Sequence, residues 1–385
     1  VHMNTKQKIS KSAMICYSVI VALFVTIRML SSFDVLDFLG DVGSYVLNVI
    51  VQVGLLFTIS VFMFAGLQKR KPKQVFSCYG FKKISWRSII YSILIGIIVY
   101  ILNVFLVTII NSILTSIGYS SSGGTTMTSY PFWLFLINLV VTAVLPGICE
   151  ETVHRGMLLR GLSSLGINKA ILISSFLFGL LHLNIEQCFY AIVIGIFLGY
   201  LTAFCGSIYP AMIIHFMNNG LSVFMSYSVF NNLGFEGMFN WINFNLENNP
   251  LIAILFVICL IVLLSILLCI LVRALYRDTA LRRISKLQEA VFTEVMRTSY
   301  INEVKEMTEN SSEGEGPQEN PEQDREKLKA LIHEQAIKTG ATDIIDYENE
   351  ENEGGKRDVV TTILITACFV LTTVVTIFTL IWGIL

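Results

Sequence analysis

The sequence predicts an all-α polytopic membrane protein, with about nine transmembrane helices and a cytoplasmic acidic segment. Three observations predict it. Of 385 residues, 54% are hydrophobic and only 14% charged, with a mean hydropathy of +0.68, whereas soluble domains run at roughly 25% charged. Apolar runs of about 20 residues recur, the length a helix needs to cross the hydrocarbon core. Lys and Arg fall in alternate connections, as the positive-inside rule requires. The net charge of −1 averages an uneven distribution and says little by itself; no nucleic-acid partner is expected.

The spans are read at 13–32, 42–66, 88–112, 131–154, 170–186, 188–204, 208–230, 250–272 and 359–384. Met3 reads as the native start, with Val1 and His2 a remnant ahead of it. The run from Ala13 is too long for a signal-peptide core and is read as a retained span. Lys6, Lys8 and Lys11 precede span one. Lys69, Arg70, Lys71, Lys73, Lys82, Lys83 and Arg87 lie between spans two and three. Arg155, Arg160 and Lys169 lie between four and five, and Arg273, Arg277, Arg282, Arg283 and Lys286 follow span eight. Connections 113–130 and 231–249 carry neither Lys nor Arg. The N-terminus is therefore expected in the cytoplasm and, with nine spans, the C-terminus outside.

The chain divides into a cytoplasmic N-terminus (1–12), N-terminal transmembrane helices (13–129), a core (130–230), an outer loop and helix (231–272), a cytoplasmic segment (273–358) and a C-terminal transmembrane helix (359–385). In the cytoplasmic segment, Leu281, Ile284, Leu287, Val291 and Val295 recur at helical spacing, as in a helix lying on the inner leaflet. Residues 301–357 hold sixteen acidic and seven basic residues, a net of −9, and SSEGEGPQENPEQ has the composition of a disordered linker. Asn320 and Pro321 read as the cap and first residue of a short helix. This arm is expected to be a solvated tail ahead of an appended anchor, with a protein partner of the arm as the other reading. The eight cysteines form no CxxC pair and read as small apolar packing residues.

Chemistry concentrates in the core. Between Ser88 and Val272 there are five acidic residues, of which Glu186, Glu236 and Glu247 sit at span ends or in loops, while Glu150 and Glu151 fall inside span four. Charge at membrane depth is costly and tends to face a cavity or a partner. Residues four apart share a helix face, so Glu151 faces Arg155 and Glu150 faces His154. Pro146 and Gly147, one turn earlier, are expected to loosen the helix and admit water or a substrate backbone. A lone histidine in a span is ordinarily a packing residue; His154, His182 and His215 together near two glutamates are more than that. His182 follows Phe178 by one turn, and Asn219 follows His215 by one turn. Counting from the turn between spans four and five, Glu150 and His182 both lie roughly 22–26 Å away, so they are level. His215 sits shallow in span seven and fits only if 156–168 protrudes from the membrane.

A Glu and a His sharing a water act as base and orienter, and a second His and an Asn donate to a developing oxyanion. The implied reaction is hydrolysis by activated water, most simply of an amide. Glu150, His182 and His215 are equally a ligand set for a divalent metal such as zinc, with His154 a further ligand. Sequence leaves these two open. Cys149 is adjacent, but a buried thiol there is inert.

EETVHRG (Glu150–Gly156) resembles the EExxxRG motif of the CAAX-protease and bacteriocin-processing (Abi, CPBP) family of intramembrane proteases. Phe178-Gly-Leu-Leu-His182 is similar to its FxxxH motif, and His215-Phe-Met-Asn-Asn219 to its HxxxN motif. The resemblance covers about residues 130–225. It implies an intramembrane endopeptidase in which Glu150 and His182 activate water, His215 and Asn219 stabilise the oxyanion, and Glu151 and Arg155 support them. The family is described both as glutamate-type and as metal-dependent. One departure is His154, where the family pattern is apolar. The expected substrate is a membrane-associated or lipid-modified peptide or protein, met near the cytoplasmic face among membrane lipids. The alternative is a non-catalytic immunity factor or scaffold of the same family. A transporter would spread charged residues over several spans, a pattern this chain lacks.

Overall fold

The computed structural model describes residues 5–32, 40–120, 129–309 and 359–384, and among them there is no strand. The main helices are α1 (Thr5–Ser32), α2 (Val42–Gln68), α3 (Trp86–Ser116), α4 (Phe132–Gly161), α5 (Ile167–Leu181), α6 (Ile185–Cys205), α7 (Tyr209–Phe230), α8 (Pro250–Glu309) and α9 (Val359–Ile384). Short helices Pro72–Cys78 and Gly237–Asn248 lie in connections. Seven helices, α1 to α4, α6, α8 and α9, are long and apolar enough to cross a membrane. α5 is apolar but has only 15 residues, and α7, at 22 residues, is diluted by His215, Asn218 and Asn219. The chain is an all-α multi-pass membrane protein. Leu251, Ile252, Leu255, Ile258, Leu263 and Ile266 of α8 are all exposed, a surface that lipid solvates and water would not.

Capping residues explain where helices begin. Ser85 accepts from the Ser88 backbone N–H to start α3, and Asn184 accepts from that of Glu186 to start α6. Gly206, at φ 64°, takes the left-handed turn between α6 and α7, where Pro210 then opens α7. α5 and α6 form a close hairpin because glycine lines their seam. A Cβ on Gly179 would lie 2.6 Å from the Cys188 carbonyl oxygen, and one on Gly199 would lie 2.9 Å from Ile171.

One end of the bundle is knitted together by the basic connections. The Ile208 N–H donates to the Gly80 carbonyl, Ser207 Oγ to that of Lys82, and Arg283 Nη2 to that of Phe204. At the other end, Asn231 Nδ2 donates to the Tyr130 carbonyl, and Tyr130 packs edge-on against Tyr227.

Several expectations change. Gly147 is buried and admits a neighbouring helix rather than water, since a Cβ there would meet the α7 backbone at the Met212 carbonyl, 3.2 Å away. The loosening lies in π-helical stretches instead, at Val140–Val144 and Thr152–Leu158 of α4. In the stretch after Gly156, Met157, Leu158, Leu159 and Leu162 are buried against neighbouring helices. Gly161 lies against α1, so close to Ala13 that a Cβ would clash with it. The segment from residue 273 begins as a continuation of α8 to Glu309 rather than as a separate helix, with Leu281 and Ile284 exposed. The helix expected at Asn320 and Pro321 lies outside the described residues. α9 is more than an appended anchor. Cys368 and Thr372 are buried, Ser18 Oγ is 3.4 Å from Cys368 Sγ, and α9 packs on α1 and α5.

Candidate active site

Glu150 and Glu151 end the α-helical stretch Leu145–Glu151 of α4, just before its second π-helical stretch. The neighbouring carboxylates have different surroundings. Glu151 is fully buried, and its Oε1 accepts from Arg155 Nη1 at 2.8 Å and from His215 Nδ1 at 2.7 Å. Its Oε2 has no hydrogen-bond partner among the described residues. Arg155 is also buried; its Nη2 reaches the Gly195 carbonyl of α6 at 3.2 Å, and its guanidinium lies 4.6 Å from the Phe178 ring centre. The predicted pair thus exists, but Glu151 is shared between Arg155 and His215.

Glu150 is 15% exposed, with its Oε2 3.9 Å from His215 Nε2. Its Oε1 accepts from Gln52 Nε2 of α2 at 2.8 Å. Gln52 does not stand out in the sequence; the only signal is an amide in the middle of an apolar run. His154 meets Glu150 differently from the expectation: its Nδ1 lies 2.8 Å from the Glu150 backbone carbonyl, not the carboxylate. The His154 ring is fully buried between Tyr17 and Phe178, and its Nε2 has no partner among the described residues.

Phe178 is the hub of the cluster. His154, His182 and His215 pack edge-on around its ring at centroid distances of 4.9, 5.1 and 5.8 Å. His182 ends α5, and its Nδ1 donates to the Phe178 carbonyl at 3.0 Å. A carboxylate beside Nδ1 of His215 and a carbonyl beside Nδ1 of His182 both place the proton there. In the neutral rings, both Nε2 atoms then carry lone pairs.

A cavity of about 290 Å³ is lined by His182, His215, Asn218, Asn219, Tyr190 and Thr142, among others. Glu150 is not among the lining residues but lies beside His215, which is. An amide relay crosses the floor. Asn103 Nδ2 of α3 donates to Asn218 Oδ1 at 3.3 Å, Asn218 Nδ2 to Asn219 Oδ1 at 3.0 Å, and Asn219 Nδ2 to the Thr142 carbonyl at 3.1 Å. Asn219 keeps one N–H uncommitted. His215 is therefore no marginal member, as its depth had implied; it is bonded most directly to the glutamates.

The metal set predicted from the sequence has suitable donor types, and the Nδ1 bonds are those that orient metal-binding imidazoles. As placed, however, no three His, Cys, Asp or Glu side chains among the described residues gather so as to hold an ion.

Two further residues shape the site from outside. A Cβ on Gly156, the motif glycine, would press on the Tyr79 ring at 3.0 Å. Tyr79 donates to the Ser60 carbonyl at 2.6 Å, and burial pushes its phenol well above the ordinary value, so it stays a protonated donor.

Residues 131–221 match the sequence model of a family described as type II CAAX prenyl endopeptidase Rce1-like. The matched stretch runs from α4 into α7 and contains Glu150, Glu151, Arg155, Phe178, His182, His215 and Asn219. A comparison with curated proteins and one with solved structures each found no match.

Proposed function

We propose that this member of the CAAX prenyl endopeptidase family, identified through residues 131–221, is an intramembrane endopeptidase that hydrolyses a peptide bond with water activated by Glu150. The observation that carries this reading is the Glu150–His215–Glu151 cluster, set beside a polar cavity that also holds His182 and Asn219.

The roles follow from protons and lone pairs. A water between Glu150 and His215, at the edge of the cavity, donates one hydrogen bond to Glu150 Oε2 and the other to an imidazole Nε2. Glu150 takes the proton as the water oxygen bonds to the substrate carbonyl carbon. The oxyanion accepts from the uncommitted N–H of Asn219. His215, held by Glu151, is ready to take a proton at Nε2, where the carboxylate at Nδ1 stabilises the imidazolium. The carbon–nitrogen bond then breaks as the proton taken up by Glu150 passes, directly or through His215 Nε2, to the leaving nitrogen. Gln52 holds one Glu150 oxygen so that the other faces His215. A divalent cation would lower the pKa of a bound water, but holding it would need Glu150, His182 and His215 to converge more closely than they do in this arrangement.

The test is cleavage of a panel of internally quenched peptides by the purified full chain in detergent or nanodiscs. Wild type is expected to cleave, with loss of about 100-fold or more in Glu150→Ala and His182→Ala. Undiminished cleavage by Glu150→Ala rules out the mechanism. A folded wild type that cleaves nothing favours the non-catalytic scaffold.

A further inference from the structure

We infer that the substrate is an uncharged, extended stretch of polypeptide that enters along a polar groove between α4 and α7, from the face opposite the basic connections. The inference rests on the peptidase reading above.

A second cavity, of about 440 Å³, is lined by Tyr130, Asn138, Thr142, Ser222, Ser226 and Phe230. It shares Thr142, Ser222 and Val223 with the cavity at His182 and His215, so the two form one trough. Each wall is built by a polar pair four residues apart: Asn138 and Thr142 on α4, Ser222 and Ser226 on α7. Thr142, Ser222 and Ser226 are exposed. Three exposed hydroxyls at membrane depth suit water or a polar ligand, not lipid tails.

The lining groups define the ligand. Thr142 Oγ1 donates to the Asn138 carbonyl and Ser226 Oγ to the Ser222 carbonyl. Their protons are committed, and lone pairs face the trough. Asn138 is held by Tyr45 and Tyr130. Such acceptors suit the N–H groups of an extended backbone. Among the described residues no Lys, Arg, Asp or Glu lines either cavity, and the upper cavity holds no cationic side chain to pair with a free C-terminal carboxylate. The groove fits an internal segment. From Asn219 to Phe230 a helix rises about 16 Å, room for about five extended residues.

The groove also has a direction. It climbs from His215 toward Tyr130 and Phe230, away from the end where Gly80, Lys82, Phe204 and Arg283 are bonded together. Connections at its upper end, 113–130 and 231–249, lack Lys and Arg. The positive-inside rule puts that end outside. The expected entry near the cytoplasmic face is replaced by entry from the other side.

The test compares right-side-out and inside-out vesicles containing the full chain. Cysteine introduced by Ser226→Cys is expected to react with a membrane-impermeant maleimide in right-side-out vesicles only. The exposed native Cys78, in the basic connection, is expected to react in inside-out vesicles only. Labelling of the introduced cysteine from the inside-out face, or from neither, overturns the inference, and this readout needs no turnover. Quenched peptides of about ten uncharged residues, added outside, should be cleaved by right-side-out vesicles, and Ser226→Arg should raise KM about tenfold with kcat little changed. Cleavage surviving in Glu150→Ala defeats the peptidase reading. Glu150-dependent cleavage confined to inside-out vesicles defeats this inference alone.

Discussion

Glu151 Oε1 accepts hydrogen bonds from two helices at once, from Arg155 Nη1 of its own helix at 2.8 Å and from His215 Nδ1 of α7 at 2.7 Å. One buried oxygen therefore both neutralises a guanidinium and sets the ring of a candidate catalytic histidine. The second carboxylate of the motif ties α4 to α7.

Glu151→Leu strands Arg155, which is 1% exposed, without its counter-charge. Breaking a buried pair on one side costs about 3–5 kcal/mol, whereas replacing both partners by apolar groups is often neutral. Thermal unfolding in detergent should show a large drop for the single variant. Glu151→Leu combined with Arg155→Met should recover most of it but no cleavage, because His215 still lacks its acceptor. A double variant as unstable as the single one would trace the loss to packing instead of charge.

Gln52 donates to Glu150 Oε1 across 98 residues of sequence. A hydrogen bond to a charged group contributes about 1.5–3 kcal/mol. Gln52→Leu should fold normally and lose about 10- to 100-fold in kcat/KM. Gln52→Glu places a carboxylate against a carboxylate and should do worse, while Gln52→Asn should fall between wild type and the Leu variant. Equal activity in all three would remove Gln52 from the site.

Gly179 separates the α5–α6 hairpin from a clash that no side chain can relieve, because a Cβ would sit 2.6 Å from a backbone oxygen. Gly179→Ala should force the two helices apart and lower stability by about 1–3 kcal/mol. Cleavage should fall with it, since His182 ends α5. Gly66→Ala, where a Cβ meets nothing within 4 Å, is the matched control and should leave both unchanged. Size-exclusion profiles and melting curves of the two variants check the contrast.

The residues legible in sequence are those whose partners lie within one helical turn. Glu151 with Arg155, and Phe178 with His182, come from a spacing of four on one helix. The Asn219 bond to the Thr142 carbonyl, the Asn103–Asn218–Asn219 relay and the Gln52–Glu150 bond all join different helices, and their positions depend on packing that periodicity does not encode. A depth count sets His215 too shallow because it assumes regular α-helices. The π-helical stretch Thr152–Leu158 of α4 lies between Glu150 and the turn from which depth is counted, and it alters the rise and the facing counted there. The fold class is legible for a simpler reason: composition and the alternation of basic connections act over the whole chain and survive local irregularity.

His154 meets neither glutamate's carboxylate and does not line the cavity. Its Nδ1 is tied to a backbone carbonyl one turn back, its Nε2 is buried without a partner among the described residues, and Tyr17 and Phe178 enclose its ring. An unsatisfied buried acceptor costs about 1–3 kcal/mol, and the single hydrogen bond at Nδ1 returns about 1 kcal/mol. Phenylalanine fills similar space and leaves no polar atom stranded. His154→Phe should therefore keep its melting temperature or gain slightly, and keep cleavage within about threefold of wild type. His154→Asp, which buries a carboxylate beside Glu150, should fail to fold. If His154→Phe folds as well as wild type yet loses activity to the level of Glu150→Ala, the imidazole takes part in the chemistry. Packing alone would then not account for it.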